Sequence, residues 1–466
     1  MESISRLTLA CSLSFVMSGC GGAGTTADWT SPLYDVGSPQ TLTSGSMSLA
    51  AFDSDEGYTV SFANPSDHFK QELLHYSNDG SERVVAAEGL PMHRVPVQTA
   101  SGYLATQTKT HSLGPIGSGL TEVSTFDKNG QPRWTREIVP GMAIDDTAGA
   151  VDYINALLMV TSLSEDDYYD HNVDLLLTGM DQEGKVAWQK TVTQAHTDKG
   201  NWYFSHGENG DICYIADDGA QQNLSCLSPD GSPFLEQALE GQSQRKLNVF
   251  ENSAVVVSDF GDNNVGIADY DFTSGVLSSY VFDDVRFWES KVEKTNDGRL
   301  HILTRSTSLD FQTLVSLDEN GGKTQHTFPL HVEMIPDYAY SAWASPALGV
   351  DKNNNVYVTS VDTESRSLLG YDYMRSMAVV LKIDSDNTIT TSIKGAWSGY
   401  QYMKDGKCVN RCTSVPKADF LDNMFVLDDG TVLISWVDIK MALFCDLGCG
   451  FIPTGQKWSL SKYTVK

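Results

Sequence analysis

The sequence predicts an all-β protein, a β-propeller of about eight four-stranded blades, with seven blades as the alternative. Three observations lead to this prediction. Strand-like runs alternate along the chain with turns rich in Asp, Asn and Gly. The runs come in pairs, and two pairs together recur roughly every 45–65 residues, which is the spacing of propeller blades. Finally, the chain of 466 residues is 41% hydrophobic and contains 39 Gly, which suits one large core.

Each predicted unit contains two hairpins. The first has a short polar turn before a β-rich run, as in KTNDGRLHILTRS (294–306) and VLDDGTVLISWVD (426–438). The second follows closely, as in FDKNGQPRWTREI (126–138) and LLLTGMDQEGKVAWQKTV (175–192). Asp, Asn and Gly favour the tight turns that join antiparallel strands. Two hairpins therefore give the four strands of one blade.

The last unit lacks a fourth strand, and the N-terminal segment is predicted to supply it. The third run of this unit is KWSLSKYTV (457–465), at the end of the chain. Near the start, DWTSPLYDV (28–36) carries Trp29-Thr30, which aligns with Trp134-Thr135 in an outer-strand position. The N-terminal strand would then close the ring without leaving an open sheet edge.

On these residues the chain resembles the quinoprotein-type (PQQ-repeat) β-propellers. FDKNGQPRWTREI and MDQEGKVAWQKTV look like their Asp-x-x-Gly-(x)-x-x-Trp repeat, and VDKNNNVYVTSV (350–361) with VVLKID is similar to bacterial surface-propeller repeats. Together with the N-terminus, the resemblance implies an eight-bladed bacterial lipoprotein of the quinoprotein-like group. The adjacent cysteines of quinoprotein dehydrogenases have no counterpart in the sequence, so that activity is not carried over.

The N-terminus has the features of a lipoprotein signal. Arg6 precedes an apolar run from Leu7 to Met17, which is too short to span a bilayer and is typical of a signal peptide. The run ends in Met17-Ser18-Gly19-Cys20, which resembles the bacterial lipobox. We therefore predict that Cys20 is acylated, palmitate included. A soluble secreted protein with an ordinary cleavage site is the alternative.

This signal predicts the organisation and location of the mature protein. It would be lipid-anchored at the bacterial outer membrane, on the periplasmic or cell-surface side, and would contact the membrane through the lipid alone. The predicted segments are residues 1–19 as signal peptide, 20–28 as lipidated tether and 29–466 as propeller.

The mature cysteines are predicted to form disulfides. Besides Cys20, six remain in the mature chain: Cys213, Cys226, Cys408, Cys412, Cys445 and Cys449. An even number in an oxidising compartment favours bridges, and the CxxxC spacing of the last four does not fit structural zinc well. Cys213 and Cys226 lie symmetrically about one hairpin loop, so a cross-strand bridge is expected. For the other four, bridges within each CxxxC and bridges between the two segments both stay open.

The charge balance limits the partners. With 60 acidic and 32 basic residues, the formal net charge is −28. Such a chain repels phosphate backbones, so nucleic acid is not expected as a partner. We expect an envelope protein or a glycan instead, bound by a monomer or within a larger envelope complex.

The binding face is predicted from the long connections between strands. In a four-stranded blade, the turns after the first and third strands lie on one face, and the remaining connections lie on the other. The long connections, among them 330–348, 363–376, 394–422 and 438–456, all fall on that second face, where function concentrates. Aromatic residues there suit sugar stacking or protein anchoring, although they could equally pack between blades. The candidates, with one cation for an anionic ligand, are Trp202, Trp288, Tyr338, Tyr340, Trp343, Trp397, Tyr400, Tyr402 and Arg286.

Metal binding and catalysis have weak signals. No cofactor is expected, except that Glu165, Asp166, Asp167 and Asp170 form a loop that could hold calcium or could simply be a solvated acidic loop. The sequence contains no HExxH, GxSxG, P-loop or GxGxxG motif. The sequence therefore predicts a non-catalytic binding scaffold. The alternative is a hydrolase or lyase of envelope or extracellular polymers with a carboxylate pair in the propeller channel.

Overall fold

The computed structural model shows an all-β protein made of antiparallel sheets. No stretch among the described residues forms a helix that is long and apolar enough to cross a membrane. The structure describes residues 25, 27–31, 34–35, 47–53, 57–63, 70–91, 97–99, 102–110, 119–127, 132–138, 156–162, 172–181, 185–198, 201–202, 204–207, 211–217, 221–241, 243–283, 285–306, 311–318, 322–330, 343–368, 371–395, 398–404, 407–408, 417–445 and 449–465.

The first strands of the chain join its last sheet, and the next eight form two antiparallel sheets in chain order. The two N-terminal strands are β1 (Trp29–Thr30) and β2 (Tyr34–Asp35). Sheet 1 contains β3 (Met47–Asp53), β4 (Gly57–Ala63), β5 (Lys70–Tyr76) and β6 (Glu82–Pro91). Sheet 2 contains β7 (Val97–Thr99), β8 (Gly102–Thr110), β9 (Gly119–Asp127) and β10 (Pro132–Ile138).

Sheet 3 differs from the prediction because it joins two predicted units. Its strands are β11 (Ala156–Ser162), β12 (Asn172–Asp181), β13 (Val186–Asp198), β14 (Asn201–Trp202), β15 (Phe204–His206), β16 (Ile212–Asp217), β17 (Gln222–Leu227) and β18 (Pro233–Leu239). β13 is 13 residues long and reaches β16, where Ala195 lies opposite Ala216. β13 is therefore long enough to pair with strands of both predicted units.

Sheets 4 and 5 are regular four-stranded meanders. Sheet 4 contains β19 (Gln244–Phe250), β20 (Ser253–Gly261), β21 (Asn264–Asp271) and β22 (Gly275–Phe282). Sheet 5 contains β23 (Val285–Lys294), β24 (Leu300–Ser306), β25 (Phe311–Leu317) and β26 (Lys323–Pro329).

Sheets 6 and 7 contain the longest strands. After β27 (Trp343–Ala344), sheet 6 contains β28 (Leu348–Val350), β29 (Val356–Leu368), β30 (Tyr371–Ile383), β31 (Ile389–Lys394), β32 (Ser398–Lys404) and β33 (Lys407–Cys408). Sheet 7 contains β34 (Lys417–Val426), β35 (Thr431–Cys445) and β36 (Cys449–Thr464). β1 and β2 pair with β36, and β27 pairs with β34.

The turns explain why Asp, Asn and Gly marked the hairpins. In the turn 228–232, Gly231 N donates to Ser228 O at 2.8 Å, and Gly231 has a φ of 83°. Asp230 Oδ1 accepts from Ser232 N at 2.9 Å and from Ser228 Oγ at 2.7 Å. The same backbone bonds recur in the turns 77–81, 295–299, 351–355, 384–388 and 427–431. The carboxylate thus satisfies backbone donors that the tight turn leaves free.

Successive sheets pack face to face in chain order, which is the arrangement of a β-propeller. Buried apolar side chains fill each seam, and the four seams from sheet 3 to sheet 7 are represented by Leu224 with Val256, Ile267 with Ile302, Leu314 with Val358, and Val380 with Ile434. The predicted fold class is therefore confirmed. The number of blades stays a prediction.

Polar side chains also join neighbouring sheets. Arg245 of sheet 4 is buried and donates from Nε to Gln222 Oε1 of sheet 3 at 2.5 Å and from Nη1 to Ser258 Oγ at 2.7 Å. Lys294 Nζ of sheet 5 lies 2.8 Å from Asp269 Oδ2 of sheet 4. Such buried charges must be hydrogen-bonded to be tolerated, so they restrict how the sheets can be positioned.

Trp188 shows why Gly and Trp recur in the repeat. Its Nε1 donates to Pro229 O at 3.1 Å, across from β13 to the turn before β18. The ring covers Gly231 at that turn and Gly179 on β12, and a Cβ at Gly179 would overlap it. The large ring is accommodated because both contact positions lack a side chain.

The strand pairing on which the predicted closure depends is present. Trp29 lies opposite Lys462 and Thr30 opposite Ser461. Asp28 Oδ2 accepts from Thr464 Oγ at 2.7 Å. β34 of sheet 7 also contacts β3 of sheet 1. Closure of the whole ring stays a prediction, as do the segment boundaries.

Candidate functional site

Sheet 6 carries a hairpin that extends past two of its strands, β28 and β31. β29 and β30 pair without a bulge from Val356 opposite Ile383 to Leu368 opposite Tyr371. The outer strand β31 covers β30 only between Val379 and Ile383. Residues 363–376, which we call the sheet-6 arm, therefore project by about 20 Å at 3.4 Å per residue. β32 pairs along the arm, where Tyr402 lies opposite Tyr373.

Sheet 7 carries a second such hairpin. β34 accompanies β35 only as far as Lys417 opposite Lys440. β35 and β36 continue from there to Cys445 opposite Cys449, and we call residues 441–453 the sheet-7 arm. The two arms leave the same ends of adjacent sheets, and β34 contacts both β30 and β32.

The arms correct the prediction that 363–376 and 438–456 are irregular loops. Both stretches are mostly strand. They are polar or unevenly patterned, so no alternation marks them as half-buried strands. Pairing with the neighbouring strand, which is not a local signal, decides their structure.

The connection 330–348 also differs from the predicted loop. Ala344 lies opposite Leu421, parallel to β34, and Ser345 N donates to Leu421 O at 2.9 Å. Ala344 and Ala347 are buried in the seam between sheets 6 and 7. Their small side chains let this segment enter the seam.

The predicted binding-face residues that the structure describes lie in strands, on several different sheets. Tyr400 and Tyr402 lie on β32, beside the sheet-6 arm. The other placed residues are Trp202 on β14, Arg286 and Trp288 on β23, and Trp343 on β27. Tyr338, Tyr340 and Trp397 lie outside the described residues. Of the placed residues, only the two tyrosines on β32 therefore lie beside an arm.

Arg286 and Trp288 belong to a bulge that the sequence did not indicate. Arg286 lies opposite Arg305 and Lys291 opposite Leu303, so residues 287–290 face a single residue of β24. Ser290 Oγ donates to Phe287 O at 2.7 Å, and Phe287 is 3% exposed. Lys246 Nζ of sheet 4 lies 5.3 Å from the centre of the Phe287 ring. The bulge is thus held by its own buried aromatic residue and by the neighbouring sheet.

The structure describes all of the predicted disulfide cysteines except Cys412. Cys213 and Cys226 form the predicted cross-strand disulfide, with their Cα atoms 4.1 Å apart. Cys445 and Cys449 stand directly opposite each other at the tip of the sheet-7 arm. Cys408 lies on β33 opposite Met403, and Cys412 lies outside the described residues. Pairing among these four stays a prediction.

The structure adds no metal site. The calcium candidates Glu165, Asp166, Asp167 and Asp170, like Cys20, lie outside the described residues. In the described part of the chain, no group of three or more His, Cys, Asp or Glu is arranged to hold a metal ion. Asp351, in a turn that alternates like a calcium loop, uses Oδ1 to accept from Asn353 N and Asn355 N at 2.9 and 3.0 Å. That carboxylate serves the turn.

One carboxyl has an acid–base character suited to proton transfer. Burial raises the pKa of Asp422 to about 7, and the hydrogen bond from Ser435 Oγ at 3.4 Å opposes the shift. Asp422 is the extra residue of a bulge in β34. Burial rather than a neighbouring charge causes this shift. A carboxylate pair would perturb the pKa through charge as well, so the described residues give no support for paired acid–base catalysis.

Comparison with known proteins yields structural similarity only. No family model matches the chain, and no curated protein sequence matches it. A puromycin hydrolase S511A mutant complexed with PGG is 13% identical with a TM-score of 0.41, over 87% of this chain and 61% of that chain. The WD40 domain of Toxoplasma gondii coronin is 8% identical with a TM-score of 0.40, over 80% of this chain and 81% of that domain. TolB from Acinetobacter baumannii is 13% identical with a TM-score of 0.29, over 75% and 79%.

These similarities assign the chain to no family. The chain spans less than two thirds of the puromycin hydrolase, and all three similarities are too distant to bear on function. The resemblance to PQQ-type repeats and the lipoprotein signal therefore stay predictions. What the chain does must be argued from its own geometry.

Proposed function

We propose that this protein is a binding scaffold of the bacterial cell envelope, anchored by lipid at Cys20, that recognises a protein or glycan through its two arms. The observation that supports this proposal most is that β29 and β30 stay paired beyond β28 and β31, and β35 and β36 stay paired beyond β34. Residues on such a projection are accessible to a partner without any change in the sheets below.

Described core residues lie next to both arms and at the base of the sheet-6 arm. On β29 the last residue of a core cluster is Val361. On β30, Ser376 at the base of the arm and Met377 next to it are buried. In sheet 7, Ile434 of β35 packs in the core, and the pairing of β35 with β36 continues eleven residues further to Cys445.

Shortening the arms tests the proposal. Thr363 and Ser376 are opposite each other, so Asn-Gly can replace residues 364–375 as a two-residue hairpin turn. Asn-Gly can likewise replace residues 441–454 between Lys440 and Gly455. Asp386→Ser, in an exposed turn at the other end of sheet 6, is the matched control. Wild type and variants are used as bait in detergent-solubilised envelopes, and captured proteins and glycans are quantified.

We expect the arm-shortened variants to unfold at nearly the wild-type temperature but to lose the captured species, and Asp386→Ser to retain them. Capture of the same species by wild type and both arm variants would contradict the proposal. The anchor is tested separately, because Cys20→Ser should release the protein from membranes. Persistent membrane association of that variant would argue against lipidation.

A further inference from the structure

The outer edge of β29 is unpaired in the sheet-6 arm. The first strand of sheet 6, β28, ends opposite Val358, and the segment before it adds one bond, from Thr359 N to Ala347 O at 3.3 Å. Beyond that point β29 continues to Leu368, paired only with β30 in the described part of the chain. An exposed strand edge of this length presents free main-chain donors and acceptors.

The hydrogen bonds fix which residues present these groups. Thr359 N points to Ala347, away from β30, and the pairing of β29 with β30 has no bulge. N–H and C=O of successive strand residues point to alternate sides. Thr363, Ser365 and Ser367 therefore direct their N–H and C=O groups to the open edge, while Glu364 and Arg366 bond to β30.

Several other edges among the described residues are covered or carry proline. β1 and β2 lie along β36, and β27 lies along β34. Elsewhere the outer strands β10 and β18 begin with proline, and β26 ends with it. Residues 361–368, with the sequence VDTESRSL, contain neither proline nor lysine, the residues that commonly block edge pairing.

We propose that the partner of the sheet-6 arm supplies an extended strand that pairs with β29 over residues 363–368. Outward N–H and C=O groups that repeat about every 7 Å along an edge are complementary to another β-strand and to no common glycan. The molecule already accepts short strands in this way at both edges of sheet 7. The inference depends on the proposed function and narrows the partner to a protein with an extended segment.

A pair of substitutions at one position tests this geometry. Ser365→Pro removes the outward N–H and places a ring at the open edge, but leaves the bonds to β30 intact because that N–H does not face β30. Ser365→Ala removes the hydroxyl and keeps the N–H. The purified full chain is used to select binders from phage-displayed random dodecapeptides, and selected peptides are measured on wild type and both variants.

We expect selected peptides to bind Ser365→Pro about tenfold or more weakly than wild type, and to bind Ser365→Ala with nearly the wild-type affinity. Only Ser365→Pro loses the main-chain hydrogen bonds and the space for an added strand. In amide hydrogen exchange, Ser365 should exchange fast in the free protein and slowly with peptide, and Arg366 slowly in both. Equal binding by Ser365→Pro and wild type would overturn the inference, as would a failure to select any peptide that protects Ser365.

Three further outcomes separate the alternatives. Slow exchange of Ser365 in the free monomer would show that this chain already covers the edge, and self-association lost in Ser365→Pro would show that a second copy does. Either result overturns the inference. If envelope partners are lost on shortening the arms but kept by Ser365→Pro, strand addition is wrong while the proposed function stands.

Discussion

His301 in sheet 5 and Asp422 in sheet 7 are two titratable side chains whose pKa values burial moves in opposite directions. His301 on β24 is 2% exposed, with Nδ1 2.8 Å from Ser316 Oγ and Nε2 without a hydrogen-bond partner among the described residues. Burial lowers the pKa of His301 to about 4, Arg299 adds to the lowering, and Asp297 opposes it. In sheet 7, burial raises the pKa of Asp422 to about 7.

The physical cause is the same in both sheets, since burial favours the neutral form of an acid and of a base alike. Its effects on stability are opposite. Between pH 4 and 6.5 the unfolded chain protonates at His301 before the folded one, so stability rises with pH. Between pH 3.8 and 7 the folded chain holds the proton on Asp422 that the unfolded chain loses, so stability falls with pH. Over the shared window the two contributions cancel.

The largest expected effect comes from Asp422→Asn. In the wild type, the contribution of Asp422 to stability falls by about 4 kcal/mol as pH rises from 3.8 to about 7, because charging the buried carboxyl is unfavourable. Asparagine is neutral at all pH values, so the variant should be more stable than wild type by up to about 4 kcal/mol at pH 8 and similar to it at pH 4. Urea unfolding at both pH values measures this. Equal stabilities at pH 8 would show that Asp422 is not buried as described.

His301→Gln should have the next largest effect. In the wild type, the contribution of His301 to stability falls by about 3 kcal/mol as pH falls from 6.5 to about 4, because the unfolded chain binds the proton more tightly. Glutamine can keep a hydrogen bond to Ser316 and does not titrate, so the variant should retain its stability through this window. With Asp422 still present, its stability should then rise as the pH falls. A variant with the flat wild-type profile would contradict the buried neutral imidazole.

The smallest expected effect is that of Ser435→Ala. The Ser435 hydroxyl favours the charged form of Asp422, so its removal should move the pKa of Asp422 further above about 7. At pH 8 we expect a loss of stability of about 1 kcal/mol, the value of one hydrogen bond. The same substitution in the Asp422→Asn background is the control and should remove the pH dependence of the loss. The two pH profiles from urea unfolding decide the outcome.

Local chemistry made much of the fold predictable. Asp230 and Gly231 marked a hairpin because the carboxylate bonds the turn and the glycine adopts a positive φ. Cys213 and Cys226 were expected to bridge because they are symmetric about one loop, and they lie directly opposite each other. These features depend on residues close in sequence, which is why the sequence reveals them.

Features that depend on distant residues were not predictable. The pairing of β27 with β34 joins segments some seventy-five residues apart, and the sheet-6 arm is a strand only because β30 runs beside it. The burial of Asp422 follows from a bulge and from packing between sheets, and no pattern around Leu421 and Asn423 indicates either. The aromatic residues of the predicted binding face that the structure describes lie on several strands, and their role as a binding face stays a prediction.

The start of the described chain has a consequence for orientation. Thr25 N donates to Ser392 O at 3.1 Å, and Thr25 pairs in parallel with Ile393, close to the end of β31 from which the sheet-6 arm emerges. Five residues separate Cys20 from Thr25, a distance of at most about 18 Å when fully extended. A lipid on Cys20 would therefore keep the base of that arm at the bilayer surface. The molecule would meet its partner edge-on beside the membrane, which favours a partner embedded in the same leaflet over one that diffuses freely.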